Sequence, residues 1–132
     1  GRNKTTMNTL TIIVLTLLGE ARGEGAQGMH AVACVIQQRQ LNRGLSARDV
    51  CLQRRQFSCW NGRGPSIKLL KSTSAPAAIA LARKLVAGEK LGRGVVGFAD
   101  HYCTRKTFPG WGRGKKPVAI LGNHKFYKLK NP

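Results

Sequence analysis

Acids are scarce in this 132-residue chain: five Asp and Glu stand against 23 Lys and Arg, giving a formal charge of +18. So one-sided a balance points to a polyanionic working partner: nucleic acid, an acidic bacterial wall or outer-membrane surface, or anionic lipid. Long hydrophobic runs are also missing. The longest, within residues 7–18, falls short of the roughly 20 residues a membrane span needs, which excludes a transmembrane helix. No CxxC occurs among the four cysteines, and the three histidines lie far apart, which argues against a structural zinc site. A P-loop, a GxGxxG after a strand, an HExxH and a GxSxG elbow are all absent.

What is present suits one domain, residues 1–132, with one core and an ordinary hydrophobic content of 42%. Residues 1–6 are polar and read as loose. Residues 1–18, with Arg2 and Lys4 ahead of an apolar run, mimic a signal peptide, but the segment after them is a poor cleavage site. A start at Gly1 reads as a trimmed or mature fragment. Residues 7–18 (MNTLTIIVLTLL) predict a buried helix, and residues 27–39, with Met29, Val32, Ala33 and Ile36 at helical spacing, predict a second. Ser46 and Asp49 mark the start of a short helix ending near Cys51. Ser74 as a cap, Pro76 in the first turn and Gly88 at the end delimit another helix. Residues 62–73 read as a surface loop. Beyond Leu91 glycines break any helix, and residues 117–129 predict two strands joined at Gly122-Asn123. No acid follows Asp100, so the C-terminal third is the most cationic part. The even cysteine count allows two disulfides; Cys51 with Cys59 is favoured by the short loop between them, and Cys34 reads as a buried free thiol.

Glu20 and Glu24, within Gly19-Glu20-Ala21-Arg22-Gly23-Glu24, are the acids that require explanation. Glu20 falls where the apolar helix meets glycines. The negative end of the helix dipole and the apolar turns before it both favour a protonated carboxyl, the state a glycosidase general acid needs. The alternative is that both acids pair with cations such as Arg22 or Arg39. The segment Phe57-Ser58-Cys59-Trp60 sits among amides; Phe57 reads as core, whereas Trp60 is either core or a platform for a sugar ring.

The blocks GEARGEGAQGMHAVACVIQQR, QFSCWN, ADHYC, Trp111 and ILGNHKFY, in this order, resemble the SleB-type cell-wall hydrolases, which include spore-cortex-lytic, phage and bacterial wall enzymes. The resemblance covers most of the chain. It implies an α+β fold, a mostly helical domain like lysozyme and the lytic transglycosylases, with a small antiparallel sheet in the C-terminal third. It implies cleavage of peptidoglycan glycan strands between N-acetylmuramic acid and N-acetylglucosamine, with Glu20 as the general acid. In a lytic transglycosylase one carboxyl suffices, because the sugar's own 6-hydroxyl replaces water and gives a 1,6-anhydro product. Muramidase-type hydrolysis would need a second carboxylate, for which Glu24 and Asp100 are the candidates. A non-catalytic, basic module binding wall polymer or another polyanion is the competing reading. The resemblance further places Gln56, Trp60, His101 and Tyr102 along the glycan groove, with His124 either in its wall or fixing the hairpin. Where the family often shows Thr-His-Tyr-His, this chain has Asp100-His101-Tyr102-Cys103. The expected partners are peptidoglycan and the anionic envelope surface, with no specific nucleic-acid partner, no metal, no cofactor and a monomeric state. The expected place of action is the wall or periplasm, reached by export, release at lysis or injection.

Overall fold

A computed structural model describes residues 7–54 and 56–130; the expectation for residues 1–6 lies outside them. Helix α1 (Thr9–Ala21) is the axis of the fold. Its start is set by Asn8, whose side chain accepts from the Thr11 N–H at 2.8 Å. From Ile12 to Leu18 every side chain is buried, so the helix is apolar on all sides and other elements must surround it. Each buried aliphatic side chain contributes roughly 1.5–3 kcal/mol, which makes this helix a firm mount for what it carries at its end. Thr16, the polar exception, donates its hydroxyl to the Ile12 carbonyl at 2.8 Å.

Helices α2 (Gly25–Arg43), α3 (Ala47–Leu52) and α4 (Ala75–Ala87) all pack on α1. Helix α2 runs further than the expected 27–39 and stops at Gly44, which takes the left-handed conformation at φ 63°. Ser46 caps α3 as expected, accepting from the Asp49 N–H at 3.1 Å. At α4, Pro76 and the left-handed Gly88 delimit the helix, but the Ser74 side chain does not cap it; the hydroxyl donates to the Arg22 carbonyl and ties α4 to the end of α1. Within the expected loop 62–73, Ile67–Lys71 forms a 3-10 turn that lays Leu69 on the core.

Three strands close the other side: β1 (His101–Thr104), β2 (Ala119–Leu121) and β3 (His124–Tyr127), antiparallel in the order β1-β3-β2. The hairpin turns at Gly122-Asn123, with Leu121 opposite His124. On its other edge β3 pairs Tyr102 with Phe126 and His101 with Tyr127. The fold is therefore α+β, mostly helical with a small C-terminal sheet, as the sequence implies.

The expected Cys51–Cys59 disulfide is not formed, and all four cysteines are free. Cys51 is buried with its thiol bonded to Thr16, while the Cys59 thiol turns to Glu20. Cys34 is a buried thiol, and burial pushes its pKa up to about 11.

Candidate active site

Glu20 occupies the last turn of α1, and two other parts of the chain converge on its carboxyl. The residue before it, Gly19, permits the first approach. A Cβ at Gly19 would lie 2.7 Å from the Cys59 Cβ, so only glycine lets the turn Ser58–Trp60 come so close. From that turn the Cys59 N–H donates to Glu20 Oε2 at 3.2 Å. From β1 the Tyr102 hydroxyl donates to Glu20 Oε1. Burial, and then the charge of Glu20, hold the Tyr102 phenol well above its ordinary range. It therefore stays protonated and acts as a donor.

The carboxyl borders a cleft of about 420 Å³. One wall is Gln56, Ser58 and Asn61; the other is the sheet residues Tyr102, Cys103, Thr104 and His124. A second hollow of about 470 Å³ shares Gly19 and Glu20 and runs to Ser72, Thr73 and Ser74, so open space extends past the carboxyl in two directions. Gln56 is oriented by Arg43, whose guanidinium donates to Gln56 Oε1 at 3.1 Å and leaves the amide N–H groups free to donate. His124 meets the Tyr102 ring edge-on at 5.0 Å. Tyr102 is further packed by Phe57 and Phe126.

Glu24 lies elsewhere. Its oxygens accept the Asn123 N–H at 3.2 and 3.4 Å, and Oε1 is 3.3 Å from His124 Nδ1. It clamps the β2–β3 turn to the α1–α2 corner. Two glycines make room: a Cβ at Gly28 would lie 2.5 Å from the Glu24 Cβ, and one at Gly122 would lie 2.7 Å from Glu24 Oε2. Asp100 is 1% exposed. It accepts the backbone N–H groups of Leu129 and Lys130 at 2.9 and 3.0 Å, with the His101 Nδ1 at 3.0 Å and the Asn42 amide at 3.2 Å. Burial alone would raise its pKa, but the hydrogen bonds from His101, Leu129 and Lys130 win and hold it below the usual carboxylate range.

Of the four expected groove residues, two line the cleft and two do not. Gln56 and Tyr102 line the cleft together with Glu20. His101 does not: alternation along β1 turns it to the opposite face, against Trp111 at 5.0 Å and Asp100. Trp60 belongs to the core, 7% exposed, with its indole N–H donating to the Thr16 hydroxyl at 2.8 Å and its ring under Gly64. His124 lines the cleft, and its Nδ1 lies 3.3 Å from Glu24 Oε1 beside the hairpin turn.

Arg39, buried behind the site, is a further charged group. Its Nε donates to the Asp100 carbonyl at 2.7 Å, and its guanidinium sits 5.0 Å from the Phe57 ring centre. Burial, with a smaller push from Arg43, lowers its pKa to about 10, against the pull of Tyr102, Asp100 and Glu20. It remains a cation at neutral pH. Among the described residues, no cluster of three His, Cys, Asp or Glu side chains is arranged to hold a metal ion. A carboxyl held by two donors at the edge of a polar cleft is equipped for proton transfer to a group lodged there.

The family model described as Cell Wall Hydrolase matches residues 23–127, beginning just after Glu20. Comparison with curated proteins finds no match. Among solved structures, the chain is similar to the catalytic domain of the germination-specific lytic transglycosylase SleB from Bacillus anthracis. That likeness has a TM-score of 0.66 at 21% identity, over 97% of this chain and 100% of the other. The catalytic domain of the Bacillus cereus SleB protein is similar to the same degree, with a TM-score of 0.66, 21% identity, and coverage of 97% and 99%. At this identity the likeness establishes the fold.

Proposed function

The chain belongs to the cell wall hydrolase family, and from that premise we propose that residues 1–132 form a single catalytic domain that cleaves peptidoglycan glycan strands as a lytic transglycosylase. The observation that carries this reading is the isolation of one carboxyl. Of the five acids, Glu20 alone borders the cleft, whereas Glu24 is turned to the hairpin and Asp100 is sealed by hydrogen bonds. Hydrolysis with retention or inversion ordinarily uses two carboxylates about 5–10 Å apart. A single carboxyl fits a reaction in which the substrate supplies the nucleophile.

Glu20 gives its proton to the glycosidic oxygen, and the bond from that oxygen to the muramic acid anomeric carbon breaks. The resulting carboxylate, held in place by Tyr102 and the Cys59 N–H, takes the proton of the muramic acid 6-hydroxyl as its oxygen bonds to the anomeric carbon. The product carries a 1,6-anhydro ring, and Glu20 is again protonated. Gln56 and Asn61, which line one wall of the cleft, hold sugar hydroxyls in this reading. The likeness in fold to a lytic transglycosylase supports the same reading.

A charge of +18 concentrates such an enzyme at a wall or outer membrane rich in carboxylates and phosphates, in a salt-dependent way. No helix among the described residues is long and apolar enough to cross a membrane. The test is mass spectrometry of the muropeptides released from purified walls: 1,6-anhydro ends are expected, and reducing ends alone would overturn the transglycosylase mechanism in favour of hydrolysis.

A further inference from the structure

A third hollow, of about 640 Å³, adjoins the catalytic cleft at Thr104 and is lined by Arg105, Lys106 and Asn123. Its backbone is tied down. The Arg105 N–H donates to the Asn123 carbonyl at 2.7 Å, Lys125 Nζ donates to the Thr107 carbonyl at 2.8 Å, and the Thr104 and Thr107 hydroxyls are 2.5 Å apart. The two cations it presents are exposed and have no carboxylate partner among the described residues. Among the described residues, the close contacts of a basic side chain with a carboxylate join only Arg48 to Asp49, His101 to Asp100 and His124 to Glu24. Glu24, the acid that touches Asn123, is engaged by that residue's N–H and by His124.

Building on the transglycosylase reading, we propose that this hollow is a subsite for the carboxylates of the peptide stem carried by the glycan, with Arg105 and Lys106 as its cationic contacts and Asn123 and Thr104 as hydrogen-bonding ones. Continuity with the cleft at Thr104 decides the ligand. The anion must belong to the same strand as the bond being cut, and the regularly repeated anion on such a strand is the stem attached to muramic acid. Two exposed cations around one hollow favour a group with carboxylates over a neutral sugar, and fixed backbone lowers the cost of holding it. The enzyme therefore prefers glycan that still bears its stems to glycan from which an amidase has removed them.

The experiment compares KM on these two glycans at low salt, for the wild type, for an Arg105→Ala/Lys106→Ala variant and for an Arg83→Ala/Lys84→Ala control that removes the same charge from the exposed face of α4. The expected wild-type preference for stem-bearing glycan is about tenfold, of the size two solvent-exposed ion contacts supply. It disappears in the first variant and persists in the control. The subsite is overturned if the wild type shows no preference, if the first variant keeps it, or if both variants lose it equally. Should the wild type cleave neither glycan, the enzymatic reading fails on its own. Calorimetric binding of the same two glycans to the same three proteins then decides the subsite by the same comparison.

Discussion

The Tyr102 hydroxyl donates to Oε1 of Glu20, a residue 82 positions earlier, and so joins the sheet to the end of the central helix. Tyr102→Phe keeps the ring contacts with Phe57, His124 and Phe126 but removes that donor. With the carboxyl less firmly aimed, turnover should fall, by up to about 100-fold, while thermal stability changes little. Turnover equal to wild type would reduce Tyr102 to a packing residue.

Glu24→Gln separates a clamp from a second catalytic carboxylate. The amide oxygen can still accept the Asn123 N–H, so most activity should survive. Glu24→Ala leaves the hairpin turn without its acceptor and should cost about 1–3 kcal/mol of stability, read by denaturant unfolding. If Glu24→Gln is as inactive as a Glu20 variant on purified walls, two-carboxylate hydrolysis replaces the mechanism given above.

Gly19→Ala tests the close approach behind the carboxyl. The new methyl would meet Cys59 Cβ at 2.7 Å, so the turn that supplies the N–H to Glu20 must shift. A loss of about 1–3 kcal/mol is expected from the overpacking, together with a fall in wall clearing larger than that stability loss explains. An unchanged melting temperature would show that the turn yields freely.

Acid should weaken the fold in two stages. Burial first, with Arg39 and Arg43 adding to it, lowers the His101 pKa in the folded chain despite Asp100. As pH falls below about 6.5, the unfolded chain takes up that proton before the folded one, and stability declines. Asp100, held low in the fold, contributes stability that is present above about pH 3.9 and is lost as pH falls through its folded pKa. Melting temperature measured from pH 8 to pH 3 should show both declines, with the upper one flattened in His101→Gln. A wild-type melting temperature that rises between pH 7 and pH 5 would contradict the assignment.

The parts of this arrangement that local sequence encodes were legible, and those set by long-range contact were not. The apolar run before Gly19, the Pro76 and Gly88 boundaries and the Gly122-Asn123 turn each declare their element through chain-local preferences. Trp60 was ambiguous because its partner, Thr16, lies 44 positions away. The Cys51–Cys59 pairing rested on loop length, which carries no information about where each thiol points. The family resemblance put His101 beside Tyr102 in the groove, although strand alternation turns the two to opposite faces. Arg39 had a usable signal: with Val32, Val35 and Ile36 it shares the helical spacing of the buried face of α2. Ser58, Asn61 and Thr104 had none, since nothing local marks a small polar residue as cleft lining.

Clearing of purified peptidoglycan by Glu20→Gln tests the central claim most directly. The amide keeps the shape of the side chain and an acceptor for Tyr102 but cannot deliver the proton. Clearing should fall by about 10²- to 10⁴-fold, with a melting temperature close to that of the wild type. A Glu20→Gln protein that clears walls as fast as the wild type would contradict the account.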